Sequence, residues 1–228
     1  MKSGACRIRR ALKKQVERTG RRQPTPTIPI DVEEDIVGAV SAEVLQATPE
    51  DVLFLDLETT GLRAERSLAA MIGFLYRRGE VLHLSQWYSG DAPSEGVQLR
   101  RLIDIQAQFR EIVTYNGDGF DLPFLRQRYR WHRLPSDCTL ISNDLLPQIR
   151  KRYRREWPDC RLVTAEERLL GLPRCDDDVP GSEAPLRFQD LREGAPLSVI
   201  EPIYLHNRRD LISLVGLRFM LREGMLCG

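Results

Sequence analysis

Apolar residues fall in short runs along the first half of the chain and recur at helical spacing along the second, the pattern of a layered α/β domain with a mixed sheet. The run Val52-Leu53-Phe54-Leu55-Asp56-Leu57-Glu58 predicts a strand that breaks at Thr59-Thr60-Gly61. Further strands are predicted at 70–76, 81–88 and 111–115. Helices are predicted near 95–109, 119–131, 164–170 and 197–221, where Leu211, Leu214, Val215 and Leu217 repeat at helical spacing. Residues 172–192, rich in Pro, Gly and Asp, read as a long loop, in which Asp176, Asp177 and Asp178 form a solvated turn or add contacts to a site.

Composition narrows the class. A chain of 228 residues with 42% apolar content buries one substantial core, so one folded domain is expected. The net charge of +1 conceals segregation. Residues 1–22 carry nine Lys or Arg against Glu17, and residues 23–50 carry six acids and no base, with the proline-spaced stretch Pro24-Thr25-Pro26-Thr27-Ile28-Pro29 between. This predicts a flexible basic arm and acidic linker over 1–48, followed by a domain over 49–228. The arm suits phosphate contact and a solubilising tail equally well. Five cysteines, at 6, 138, 160, 175 and 227, contain no Cys-x-x-Cys pair, which fits a reducing compartment and a cytoplasmic location and does not support a zinc site. The apolar stretch Leu211 to Leu221 is too short to span a membrane and contains Arg218, and the N-terminus has no apolar segment of the secretory kind.

Three acidic motifs carry the chemistry. Asp56 and Glu58 leave the same face of their strand, because side chains alternate with period two. Two like charges on one face become tolerable when a divalent cation lies between them, although acids also simply end strands. The second motif, Val113-Thr114-Tyr115-Asn116-Gly117-Asp118-Gly119-Phe120-Asp121-Leu122-Pro123, is a strand, a tight turn and a helix start with Asp121 in the first turn, the place of a capping acid as well as of a ligand. In the third, Tyr204-Leu205-His206-Asn207-Arg208-Arg209-Asp210, His206 and Asp210 are four apart and share a helix face, as a surface ion pair also would.

With four spaced acids and a histidine one turn before the last, the chain resembles the DEDD superfamily of 3′-to-5′ exonucleases, whose fold is ribonuclease H-like. The segments Phe54 to Leu62, Tyr115 to Leu125, His206 to Asp210 and Leu169 to Gly181 are most similar to its YprB-like branch, and the resemblance covers residues of about 50 to 222. It implies a three-layer α/β sandwich with a mixed central sheet flanked by helices. It also implies two-metal phosphodiester hydrolysis with Mg²⁺ or Mn²⁺. Asp56 would bridge the ions, Glu58 and Asp210 would complete one metal sphere, and Asp121 would serve the other. His206 would be the general base, at the spacing at which tyrosine-type members carry a tyrosine. Tyr204, six positions before Asp210, is out of helical phase with it, and an imidazole accepts a proton near neutral pH more readily than a phenol.

Nucleic acid is the partner this implies. From Arg126 to Arg155 there are nine Lys or Arg and two acids, interleaved with Tyr129, Trp131 and Tyr153, as a single-strand groove requires and as a solvated helix face also provides. Thr59, Asn116, Phe120, Arg126, Arg128 and Tyr129 are the expected substrate contacts. A catalytically silent binding module would be expected to lack at least one carboxylate, and none is lacking. A structure-selective endonuclease or ribonuclease H-type activity uses the same ligands and stays open.

Overall fold

A computed structural model describes residues 30–136, 140–174 and 179–226. The basic residues of 1–22, the proline-spaced stretch and Asp176 to Asp178 lie outside the described residues. Six strands form one mixed sheet: β1 (Ile30–Ile36), β2 (Val52–Thr59), β3 (Ala69–Arg78), β4 (Val81–Tyr88), β5 (Glu111–Thr114) and β6 (Ile141–Asp144), in the order β1-β4-β3-β2-β5-β6. The meander β2-β3-β4 and the added β1 are antiparallel, while β5 and β6 run parallel to β2. The fold is the α/β ribonuclease H-like sandwich.

Alternation along β2 feeds two cores. Leu53, Leu55 and Leu57 point to one face, where α2 (Ala92–Gln106) and α3 (Asp121–Trp131) cover them through Leu99, Leu102, Leu122 and Leu125. Val52 and Phe54 point to the other, against Leu211, Leu214 and Val215 of the long helix α7 (Glu201–Leu226) and Ile149 of α4 (Leu145–Tyr153). The helix starts are specified locally: Asp91 and Ser94 form a capping box on α2, and Asp144 caps α4 by accepting from the Leu146 amide at 3.0 Å.

The observed elements extend the sequence-based reading in two places. Residues 30–36, expected in the linker, form the edge strand β1, and 42–46 form a short helix α1 (Ala42–Gln46), so the domain begins at residue 30 or earlier, not at 49. Of the acids that suggested a solvated linker, Asp31, Glu33 and Asp35 alternate outward, while Val32, Glu34 and Ile36 are buried and Glu34 pairs with Arg208 at 3.2 Å. Within the expected loop 172–192, α6 (Ala184–Arg192) buries Ala184, Phe188 and Leu191 at i, i+4 and i+7 against Tyr88 and Tyr204. Between α5 (Leu162–Ala165) and that segment the helix widens into a π-turn over Glu166–Leu170, which ends at Gly171 with φ of 64°.

Candidate active site

The sheet register places the first two acids. Asp56 and Glu58 lie on the α7 side of β2, opposite Gly73 and Met71 of β3, just before the register shift between Glu58 and Thr59. Gly73 is required here: a Cβ would stand 1.9 Å from Asn207 Oδ1. The space it leaves admits Asn207 of α7, whose Nδ2 donates to Asp56 Oδ2 at 2.7 Å. Gln86, level with Gly73 on β4, donates to Asn207 Oδ1 at 2.8 Å and fixes that amide's orientation. Three neighbouring strands and one helix thus hold a single carboxylate.

Asp121 arrives from the opposite layer. The parallel pairing of β5 with β2 ends at Val113 and Phe54, which leaves the Leu57 amide free of that ladder, and the amide donates to Asp121 Oδ1 at 3.1 Å. The turn before it is tight, with Asn116 in the left-handed region at φ of 64° and its amide donating to Asp144 at 2.7 Å. His206 and Asp210 lie one turn apart on α7, with His206 Nε2 3.5 Å from Asp210 Oδ2 and 3.9 Å from Glu58 Oε1. The fold therefore brings together Asp56, Glu58, His206 and Asp210, with Asp121 electrostatically linked to the first two.

Electrostatics set these acids apart. Burial pushes Asp56 and Glu58 well above the ordinary carboxylate range, and repulsion from Asp210 and Asp121 adds to it. Burial also raises Asp210, against the opposing attraction of His206 and Arg174. Asp121 is pushed up to about 7 by burial, although the Leu57 amide of β2 and its own amide at the helix start pull the other way. A capping role alone would lower that carboxyl, so desolvation outweighs the helix start.

Two contributors have no counterpart in the sequence-based reading. Arg174 Nη2 donates to Asp210 Oδ1 at 2.6 Å, and its Nε and Nη2 grip both oxygens of the fully buried Glu166 at 2.7 and 3.0 Å. Arg174 Nη1 is 3.2 Å from His206 Nδ1, and because a guanidinium only donates, Nδ1 is the acceptor there and Nε2 carries the ring proton. Arg174 lies in the Leu169 to Gly181 segment that carried part of the family resemblance, but Glu166 showed only as one acid in a charged pair. Asn207, between two motif residues, is the other omission, and only the register opposite Gly73 discloses its role.

The donor set fits a hard divalent cation, since it is made of buried, mutually repelling carboxylates. The cluster is also closely roofed, with Gly181 so placed that a Cβ would stand 3.2 Å from His206 Nε2 and 3.7 Å from Glu58 Oε2. In the present arrangement Asp56, Asp121 and Asp210 accept from protein donors, and among the described residues no three His, Cys, Asp or Glu side chains converge on one cation-sized point.

The expected substrate contacts divide. Arg126 is exposed on α3, Asn116 is exposed and Phe120 half-buried in the turn that leads to Asp121, and the Thr59 hydroxyl donates to the Gly61 carbonyl at 2.9 Å. Arg128 and Tyr129 are corrected: both are buried in the α2–α3 layer. Arg128 pairs with Glu95 and donates to the Ala64 carbonyl, and the Tyr129 hydroxyl meets Gln106 at 3.2 Å. An arginine beside exposed arginines faces inward because α3 turns every second position to the opposite side. The basic run that begins in the last turn of α4 also leads away from the acids: Arg152 donates to the Leu221 carbonyl, eleven residues beyond Asp210, or about 16 Å along the helix.

Comparison with known proteins agrees with this architecture. Residues 53–221 match the family described as the RNase H superfamily. The uncharacterized protein YprB of Bacillus subtilis (strain 168) is 26% identical over 178 residues, which are 77% of this chain and 43% of YprB, so the chain spans less than half the length of that relative. Among solved structures, the family B DNA polymerase from the hyperthermophilic archaeon Pyrobaculum calidifontis aligns with a TM-score of 0.62 at 18% identity, over 76% of this chain and 24% of the polymerase chain, a likeness of fold. A product-bound exonuclease I aligns at a TM-score of 0.44 and 15% identity, over 68% of this chain and 46% of its own.

Proposed function

The chain belongs to the RNase H superfamily, and on that premise we propose that it is a metal-dependent nuclease, a 3′-to-5′ exonuclease on single-stranded ends. The observation that carries the reading is the crowding of Asp56, Glu58 and Asp210 beside His206, with Asp121 coupled from the next layer, in a buried cluster in which acids outnumber cations. Two Mg²⁺ or Mn²⁺ ions would be held by Asp56, Glu58, Asp121 and Asp210, and when bound they supply water activation and neutralise charge on the reacting phosphodiester.

The chain's own residues do the rest. Asn207, oriented by Gln86, holds the Asp56 carboxylate in one rotamer, and the Leu57 amide does the same for Asp121. His206 would accept the proton of the attacking water as the new P–O bond forms and the P–O3′ bond breaks, a step that requires Arg174 to release Nδ1 so that the ring has an unprotonated nitrogen to offer. Tyr204 is fully buried among Tyr88 and Phe188, and burial drives its phenol well above its ordinary pKa, which removes it as a base. Arg126 and the Asn116–Phe120 turn, which leads into Asp121, would contact the strand end. The basic N-terminal residues would bind phosphates, and the protein would act in the cytoplasm. Among the described residues no helix is long and apolar enough to cross a membrane.

The test is gel-resolved digestion of 5′-labelled single-stranded DNA and RNA, each with a free and a blocked 3′ end. A ladder of shortening products on free ends alone is expected. Internal cuts on the blocked substrate would replace the exonuclease reading with an endonuclease one.

A further inference from the structure

Arg174 enters the carboxylate cluster from the segment that follows the π-turn, not from the sheet or from α7. Its backbone is anchored, because Arg209 Nη2 donates to the carbonyls of Leu172 and Pro173 at 3.2 and 3.0 Å. Its guanidinium is anchored too, by the two-oxygen grip on Glu166, which is a seat that a planar fork fills and an ammonium does not. From that seat Nη2 reaches Asp210 Oδ1 at 2.6 Å, and the Arg174 side chain is only 13% exposed.

We propose that Arg174, seated on Glu166, is the resident counter-cation of the carboxylate cluster, holding Asp210 Oδ1 and yielding it to an incoming divalent cation. The inference rests on the metal-dependent reading of the site. A guanidinium 2.6 Å from Asp210 Oδ1 competes with a hard cation for that carboxylate, because the two positive centres repel at close range in a low-dielectric pocket. Buried acids without a countercharge are strongly destabilising, so the guanidinium supports the fold while no cation is bound and weakens cation binding by the same interaction. Glu166 makes the exchange feasible. It keeps the guanidinium paired on two oxygens after Asp210 is released, so opening the site does not strand a buried positive charge.

The proposal is tested by calorimetric titration of the chelator-treated full chain with Mn²⁺ alone, together with melting midpoints with and without Mn²⁺. Arg174→Met, of similar length and uncharged, is expected to bind Mn²⁺ about tenfold more tightly than wild type, as loss of a nearby like charge dictates. Its cation-free melting midpoint is expected to fall, and Mn²⁺ to raise it by more than in wild type. Glu166→Gln, which removes the competing seat and leaves the guanidinium to Asp210, is expected to bind Mn²⁺ more weakly, and this second variant is decisive if Arg174→Met does not fold. Equal or weaker Mn²⁺ binding by Arg174→Met, or undiminished binding by Glu166→Gln, overturns the proposal. If wild-type binding is abolished by Asp56→Asn but indifferent to Arg174, only this proposal falls. If wild type binds no Mn²⁺, the metal-dependent reading falls with it.

Discussion

Two buried groups of charged residues lie on opposite faces of the same sheet, and they are built on opposite rules. On the α2–α3 face, Glu95 is completely buried yet fully matched: Arg128 grips both of its oxygens at 2.9 and 2.5 Å, His132 meets one at 2.8 Å, and the Ala69 amide donates at 2.8 Å. On the α7 face, Asp56, Glu58 and Asp210 crowd together with far less positive charge, and Asp121 adds to their field. A buried carboxylate serves structure when each oxygen has its own donor. When several acids share a few donors, burial and mutual repulsion raise them together, which is the mark of a candidate functional site.

The contrast between the two faces can be broken most sharply through activity. Asp210→Asn removes a proposed ligand and relieves repulsion, so turnover is expected to drop about 10³- to 10⁴-fold, the equivalent of several kcal/mol at the transition state, with the melting midpoint unchanged or higher. A Michaelis analysis with a parallel melting curve checks both halves. On the other face the order reverses. Arg128→Met strands Glu95 as a buried charge and is expected to cost about 3–5 kcal/mol in urea denaturation; a loss below about 1 kcal/mol would mean that His132 and the Ala69 amide suffice.

The next contrast is in pH. The Asp121 carboxyl is raised from 3.8 to about 7, so the folded chain holds a proton there that the unfolded chain releases at lower pH. Its contribution to stability is present below about pH 4 and is lost as pH rises through about 7. Relative to Asp121→Asn, cation-free wild type should therefore lose up to roughly 3 kcal/mol between pH 4 and pH 8, measured as the difference between paired denaturation curves. The smallest effect is that of Arg126→Ala, which should leave stability within about 0.5 kcal/mol while flattening the salt dependence of nucleic-acid binding, checked by anisotropy at several ionic strengths.

Local periodicity made much of this site legible. The period of two put Asp56 and Glu58 on one face, the four-residue interval did the same for His206 and Asp210, and the Asn-Gly turn placed Asp121 at a helix start. Strands β2 to β5 and helices α2, α3 and α7 were readable for the same reason. What escaped depends on neighbours distant in sequence. Strand β1 carries outward acids that make it resemble a linker, and only its pairing with β4 turns Val32 and Ile36 into core. Strand β6 is four residues long and largely exposed, so its pattern is weak. Arg128 shares a basic run with exposed residues, and its burial is decided by Glu95, 33 positions away. Arg174 owes its place to Glu166 and Asp210, and Asn207 to the absence of a side chain at Gly73.

The central claim, that the unmatched cluster is a cation-dependent nuclease centre, is tested most directly by digesting single-stranded DNA and RNA with chelator-stripped protein before and after Mg²⁺ or Mn²⁺ is restored, with Asp56→Asn in parallel. No cleavage in chelator, recovery with the cation and none in Asp56→Asn is the predicted result. Cleavage that survives the chelator, or that Asp56→Asn retains at the wild-type rate, would contradict it.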